Sequence, residues 1–397
     1  MELLKAKQEC DQYLDGKMDE LWKVAQFIHA NPELAFQEEK ACKIQCDYLE
    51  DNDFDVKRGV AGLTTAYTAT YENKKGDLHI GIVSEYDALP IGHGCGHNLI
   101  ATTALGSAIE LKEFLKRNDI AGKITVFGTP AEEGGGGKII MLDHHIFDGT
   151  DVVFMMHPTS APTRLAGECM SSKRIEITFK GKSAHAGSHP ENGINALSAA
   201  NLFMVATGML RQHFKGDARL SMIITNGGEA SGLIPELAQL KGSLSCFSLK
   251  DLEKYKSMVE YCAKGCAMAM GCEVEIEIVD GYQGRIPNKT LSDLCKVEMR
   301  ALDEPLLDGM PFDYGGEDLG NVSRLIPICN PYVTIFPDYK ISNHTEQFRE
   351  LANSPAGYRC IQIGSKAMAR TAMELFMYPE IVEKAKEELK ERLKNEE

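Results

Sequence analysis

The stretch "DLHIGIVSEYDALPIGHGCGHN", residues 77–98, decides how the chain reads. Its first half is short, apolar and β-branched, which predicts a buried strand ending in a turn at Pro90. Its second half packs Gly92, Gly94 and Gly96 between Asp87, His93, Cys95 and His97. The segment that follows, "NLIATTALGSAIELKEFLKRN", predicts a long helix with Asn98 as its N-cap. A loop needs glycine to turn, but it does not need a thiol, two imidazoles and a carboxylate.

Working outward, two more strands resemble the first. "GKITVFGTPAEE" (122–133) and "TDVVFMMHP" (150–158) are apolar runs separated by helical segments. Upstream, "MDELWKVAQFIHANPE" and "FQEEKACKIQCDYLEDN" carry helical periodicity. Strands alternating with helices predict an α/β fold with a mainly parallel sheet flanked by helices. Sites in such sheets lie beyond the carboxyl ends of the strands. Here those ends offer Asp87, Cys95 and His97, then Glu132 and Glu133, then His157.

Near residue 170 the pattern changes to alternating polar and apolar residues, as in "SKRIEITFKGK". From there to residue 284 the order reads β-α-β-β-α-β, a ferredoxin-like unit. It predicts an inserted domain, 170–284, interrupting a first domain formed by 1–169 and 285–397. The charged end "EIVEKAKEELKERLKNEE" predicts a solvated helix.

Composition narrows the function. The 397 residues carry a net charge of −15. With no basic stripe to meet phosphates, nucleic acid is excluded as a partner. No apolar run is long enough to span a membrane. The N-terminal "MELLKAKQECDQ" lacks the apolar core of a signal peptide, so the expected location is the cytoplasm. In that reducing setting the twelve cysteines are expected as thiols. Pairs such as Cys42 and Cys46 then read as packing, whereas Cys95 does not.

A thiolate, imidazoles and a carboxylate suit one or two divalent ions, zinc first, with manganese, cobalt or nickel compatible. A second carboxylate beside a metal-activated water is a general base that can return the proton to a leaving amine. If the backbone is extended at 132–133, the two glutamates point to opposite sides and divide those tasks. "GGGGK" at 134–138 lacks the spacing of a phosphate loop. A Cys95–His97 nucleophile pair would leave the glutamates without a task.

The motifs "DALP" with "CGHN", "TPAEEGGGGK", "HAGSHPENGINA", "GGEDLGNVS" and "SNHTEQF" resemble, in order, those of the two-metal aminoacylase/carboxypeptidase family of metallopeptidases, peptidase family M-twenty. "GHGCGHNLIA" and "NHTEQF" are closest to the branch with aminobenzoyl-glutamate hydrolase and the β-alanyl-lysine dipeptidase. The resemblance implies a catalytic α/β domain with an inserted lid that commonly mediates homodimerisation. It implies metal ligation by Cys95, His97, Glu133, His157 and His344, with Cys95 bridging two ions. It further implies Glu132 as general base, Asp87 as the residue orienting a ligand, and His185 in the lid as the group polarising the scissile carbonyl, in dimeric relatives at the neighbouring subunit's site. Gly315, Gly316 and His189 fall where substrate contacts are expected, while Glu317 and Asp318 read either as site residues or as ordinary turn residues. His93 reads as structural, and His144 and His145 have no assigned role.

Three positions depart from the family pattern. Glu85 replaces the first residue of a His-x-Asp pair. Gly232 in "GGEASGLIPE" replaces an asparagine, and "SLSCF" lacks the usual arginine. The expected activity is a metal-dependent amidohydrolase acting on a small dipeptide, N-acyl amino acid or aminobenzoyl-glutamate-like amide. The competing readings are an N-acyl amino acid deacylase and a non-catalytic metal- or ligand-binding relative.

Overall fold

A computed structural model describes residues 3–336 and 341–395. The chain divides into two compact units: unit 1 is Met1–Glu168, Arg285–Asp313 and Glu317–Asn395, and unit 2 is Cys169–Gly284 with Tyr314–Gly316. Tyr314–Gly316 thus group with unit 2, although the sequence on either side belongs to unit 1.

In chain order the strands are Asp55–Arg58 (β1), Tyr67–Glu72 (β2), His79–Glu85 (β3), Lys123–Thr129 (β4), Val152–Phe154 (β5), His157–Thr159 (β6), Arg164–Leu165 (β7), Ser171–Lys180 (β8), Arg219–Asn226 (β9), Leu237–Cys246 (β10), Glu273–Asp280 (β11), Ile328–Cys329 (β12) and Pro331–Thr334 (β13).

Unit 1 is built on a six-stranded sheet in the order β1-β2-β4-β3-β5-β12. The pairs β3/β4, β3/β5 and β5/β12 are parallel, and β1 and β2 add an antiparallel edge. Successive strand residues face opposite sides of a sheet. Ile80, Ile82, Val126 and Phe154 accordingly join one core, while Val83, Phe127 and Val153 join another. Both faces are covered, which is why these strands are continuously apolar. The helix His97–Arg117 lies against the helix Pro355–Met377 at small residues. A Cβ on Gly106 would meet Ser365 Oγ at 2.3 Å, and one on Gly364 would meet Thr103 Cγ2 at 3.0 Å.

Unit 2 carries a four-stranded antiparallel sheet, order β11-β8-β10-β9, with helices Ala196–Leu210 and Leu249–Met270. Ile175, Ile177 and Phe179 on β8 are buried, whereas Arg174 and Glu176 between them are exposed. The Asn195 side chain accepts from the Ser198 N–H and the Ser248 side chain from the Asp251 N–H, capping the two helix starts. All twelve cysteines are free thiols. No helix among the described residues is long and apolar enough to cross a membrane.

Three local expectations change. Asn98 is not the N-cap of its helix. Gly96 holds that position at φ +78°, and the Asn98 amide instead donates to the carbonyls of Ala25 and Ala352. Strand β4 ends at Thr129, so Glu132 and Glu133 sit in a turn whose entry, Ala131, has φ +62°. His157 does not end β5. Pairing in the large sheet stops at Phe154, and His157 opens β6, which pairs with β13 in a separate three-stranded sheet.

Because Gly106 sets the closest approach to the Pro355–Met377 helix, Gly106→Val should cost about 1–3 kcal/mol through overpacking. Thermal unfolding should show a lower midpoint, and an unchanged midpoint would contradict this packing account.

Candidate metal centre

The glycine-rich loop turns sharply so that Cys95 and His97 face the same region. Gly96 is sterically required: besides its positive φ, a Cβ there would lie 2.7 Å from Pro158 Cγ. His97 opens its helix, fully buried. Its Nδ1 lies 3.0 Å from Asp87 Oδ1 and 2.9 Å from the Asp87 carbonyl, both acceptors, so Nδ1 carries the proton. In the neutral ring Nε2 presents its lone pair, and this buried atom has no hydrogen-bond partner. The other Asp87 oxygen, Oδ2, accepts from the Glu133 N–H at 2.9 Å.

His157 repeats this logic. Its Nδ1 donates to the Pro158 carbonyl at 2.6 Å, which leaves Nε2 3.7 Å from Cys95 Sγ. His344 arrives from far along the chain. Its N–H donates to the Gly94 carbonyl at 2.8 Å, and its Nε2 lies 3.4 Å from Glu133 Oε1. Its φ of +61° is rarely adopted by residues other than glycine and is typical of functional sites.

Three overlapping donor groups result: Cys95, His97 and His157; Cys95, Glu133 and His344; His97, Glu132 and Glu133. Within each group the donor atoms lie within 4.8 Å of one another. Cys95 is common to two of them, the arrangement needed for one thiolate to serve two ions. The buried His97 Nε2, without a hydrogen-bond partner, is the other mark of a cation site, since buried polar atoms are otherwise paired. The chemistry of the donor set fits a borderline or soft divalent ion.

The electrostatics also favour positive charge here. Burial opposes ionisation of Cys95, yet the charge and hydrogen bond of His157, with His344 and His97 close by, bring its pKa down to about 6. His344 is raised to about 10 by its bonds to Cys95 and Glu133. For His97, burial opposes the charge, but Asp87 and Cys95 outweigh it and its pKa lies well above the ordinary histidine value. Glu133 is lowered, since His344 and His97 overcome its burial. Glu132 goes the other way: burial, then the charges of Glu85 and Asp318, push its pKa well up.

The sequence reading missed the support behind Glu132. Lys138 is fully buried, 2.6 Å from Glu85 Oε1 and 2.5 Å from Asp318 Oδ1. Glu85 Oε2 lies 3.8 Å from His97 Nε2. Asp318 is therefore no ordinary turn residue, and neither is Glu317, which is paired with Arg285. The only sequence signals were a lysine straight after four glycines and a glutamate at an unusual position. His93 is structural, its Nε2 3.1 Å from the Ile28 carbonyl. His144 and His145 follow the helix Gly137–Asp143 on the surface.

The remaining candidates belong to unit 2. His185 is exposed, and its Nδ1 accepts from the N–H groups of Gly187 and Ser188, each at 3.1 Å. A neutral His185 therefore holds its proton on Nε2, available to donate. His189 is exposed and lies 3.3 Å from Glu191. A Cβ on Gly316 would come within 3.1 Å of the Met170 carbonyl, whereas Gly315 stands in open space.

Comparison with known proteins gives the family. The chain is 34% identical over its whole length to the Xaa-Arg dipeptidase of Mus musculus, spanning 94% of that protein. It is 28% identical to one of the subunits of the p-aminobenzoyl-glutamate hydrolase of Escherichia coli, over 71% of this chain and 62% of the relative. In fold it is similar to a dinuclear metal-binding peptidase from Bacillus subtilis, with a TM-score of 0.72 at 20% identity, covering 91% of this chain and 99% of the other. Residues 81–374 match the model of peptidase family M20/M25/M40, and the chain belongs to that family as a metal-dependent hydrolase of amide bonds.

Proposed function

We propose that the chain cleaves the amide bond of a small dipeptide, with a basic C-terminal residue the favoured class. One or two divalent ions, zinc foremost and manganese, cobalt or nickel compatible, would be held by Cys95, His97, Glu133, His157 and His344. The observation that carries this reading is the convergence of those donors beside a second, buried carboxylate, Glu132. The full-length likeness to an Xaa-Arg dipeptidase supports the substrate class.

A divalent ion at these donors supplies Lewis acidity toward a carbonyl oxygen and toward water. The chain's own residues do the rest. Asp87 fixes the His97 tautomer and, through the Glu133 N–H, the turn that carries both glutamates. Glu132 accepts the proton of the attacking water on its carboxylate and passes it to the departing nitrogen. Burial and the acidic neighbours raise its proton affinity, and positive charge at the donors opposes that push. His185 donates its Nε2–H to the scissile carbonyl oxygen as charge develops. Gly315, Gly316 and His189 contact the substrate.

Unit 2 acts as the lid and forms a homodimer. Val205 and Met209 on the Ala196–Leu210 helix and Ile223 on the edge strand β9 are exposed apolar residues that support such an interface. The free thiols support a cytoplasmic location.

Metal-loaded protein offered a panel of amides should release two amino acids from dipeptides ending in arginine or lysine. Release of an acid from N-acyl amino acids alone would assign the deacylase activity instead, and inertness toward the whole panel would contradict amide hydrolysis. Glu132→Gln should retain metal and lose about 10²–10⁴ in kcat. His185→Ala should also keep its metal but turn over more slowly, and a wild-type rate in either variant would remove that residue from the mechanism.

Metal uptake should release protons, because His344, its pKa raised to about 10 by Cys95 and Glu133, must lose its proton to ligate. Affinity should therefore rise between pH 6 and pH 8. Calorimetric titration in buffers of different ionisation enthalpy measures the release, and a proton count of zero would contradict the assignment.

A further inference from the structure

Behind His157 stands a charged assembly with no part in the mechanism above. Strands β6 and β13 run parallel with His157 in register with Tyr332. Registered residues of parallel strands share a face, and the two rings stack, centroids 5.0 Å apart at 14°. The Arg164 guanidinium lies 4.6 Å from the centre of the Tyr332 ring, and the Tyr332 hydroxyl accepts from Arg285 Nη1 at 3.1 Å. Arg285 is only 2% exposed. It is held on every side: Nε donates to the Gly167 carbonyl at 2.8 Å, Nη2 to Asp313 at 2.8 Å, and Nη1 to Glu317 and, at 3.2 Å, Asn330.

The identity of those partners is informative. Among the described residues the chain passes between the two units at 168/169, 284/285, 313/314 and 316/317. Gly167, Arg285, Asp313 and Glu317 stand at or next to those four crossings. One buried guanidinium thus gathers the unit 1 side of each crossing and fastens it to the ring that supports His157. A buried arginine satisfied by two carboxylates and three oxygens is rigid, because breaking any pair leaves a charge without compensation.

We infer that Arg285 is a positioning residue for the metal centre: through Tyr332 it fixes the imidazole of His157, and it ties that ligand to the segments where the chain leaves and re-enters unit 1. The inference rests on the reading of His157 as a metal donor. Groups that orient a ligand commonly change metal affinity 10–100-fold when removed, so the effect is open to measurement without any substrate.

The test is titration with cobalt(II) alone, followed by its visible absorption and by competition with a chelator. The variants are His157→Ala, Tyr332→Leu, Tyr332→Phe and Arg285→Lys, each checked for folding by circular dichroism. His157→Ala should lose one cobalt equivalent. Tyr332→Leu should weaken that same equivalent by about 10–100-fold. Arg285→Lys, which keeps the charge but not the fork, should weaken it about tenfold. The other equivalent should keep its affinity and spectrum, which a general loss of structure would not spare. Folded Tyr332→Leu and Arg285→Lys with wild-type cobalt affinity, beside a His157→Ala that has lost an equivalent, would overturn the role of Arg285 while leaving the metal centre standing. Wild-type binding by His157→Ala would instead remove His157 as a donor and take both readings down. If Arg285→Lys does not fold, Tyr332→Phe decides, since it keeps the arginine's carboxylate pairs and removes only the ring hydroxyl, with its bonds to Arg285 and Glu317; unchanged affinity there overturns the proposal.

Discussion

One carboxylate holds the centre together. Asp87 turns one oxygen to His97 Nδ1 and the other to the N–H of Glu133. The first contact selects the tautomer that leaves Nε2 free to ligate. The second fixes the turn that carries two glutamates with different environments. A residue that orients two donors at once couples their positions, so the strand that delivers Asp87 also sets the spacing of groups more than thirty positions away. The large sheet supplies the rigidity this needs. β3 is buried on both faces, and its carboxyl end opens directly into the loop that bears Cys95 and His97.

Burial then creates a charge problem that the surroundings solve. Glu85, Glu132 and Asp318 lie close together, and Lys138 is the cation placed between Glu85 and Asp318. At Asp318 burial outweighs the pull of Lys138, and its pKa rises to about 6. At Glu132 burial and the charges of Glu85 and Asp318 push the pKa well up. Two neighbouring glutamates in one turn thereby acquire opposite character. Glu133 is drawn toward the ionised form by His344 and His97, while Glu132 is pushed toward the protonated one. A second buried cluster, around Arg285, applies the same rule of compensated charge on the far side of His157.

Much of this was legible from residue order. The apolar runs at 78–85 and 122–129 declare strands covered on both faces, and "SKRIEITFKGK" declares a strand covered on one. The side chains that converge were legible as candidates because histidine, cysteine and glutamate after consecutive strands have few structural explanations in common. The rest was hidden for definite reasons. The Asn98 side chain resembles a cap in sequence, but a left-handed Gly96 reaches the position first, and Asn98 finds distant carbonyls instead. His157 looked like a strand end because nothing local marks the break after Phe154. Lys138, Asp318 and Arg285 carry no motif of their own; their roles come from burial beside partners up to 180 residues away, which periodicity does not encode.

The central claim is that Cys95 lies where one sulfur can serve two ions. X-ray absorption at the zinc edge of fully loaded protein reads it most directly. A sulfur shell at about 2.3 Å beside nitrogen and oxygen scatterers, with a metal–metal contribution, is the predicted result. A spectrum fitted by nitrogen and oxygen alone would contradict it.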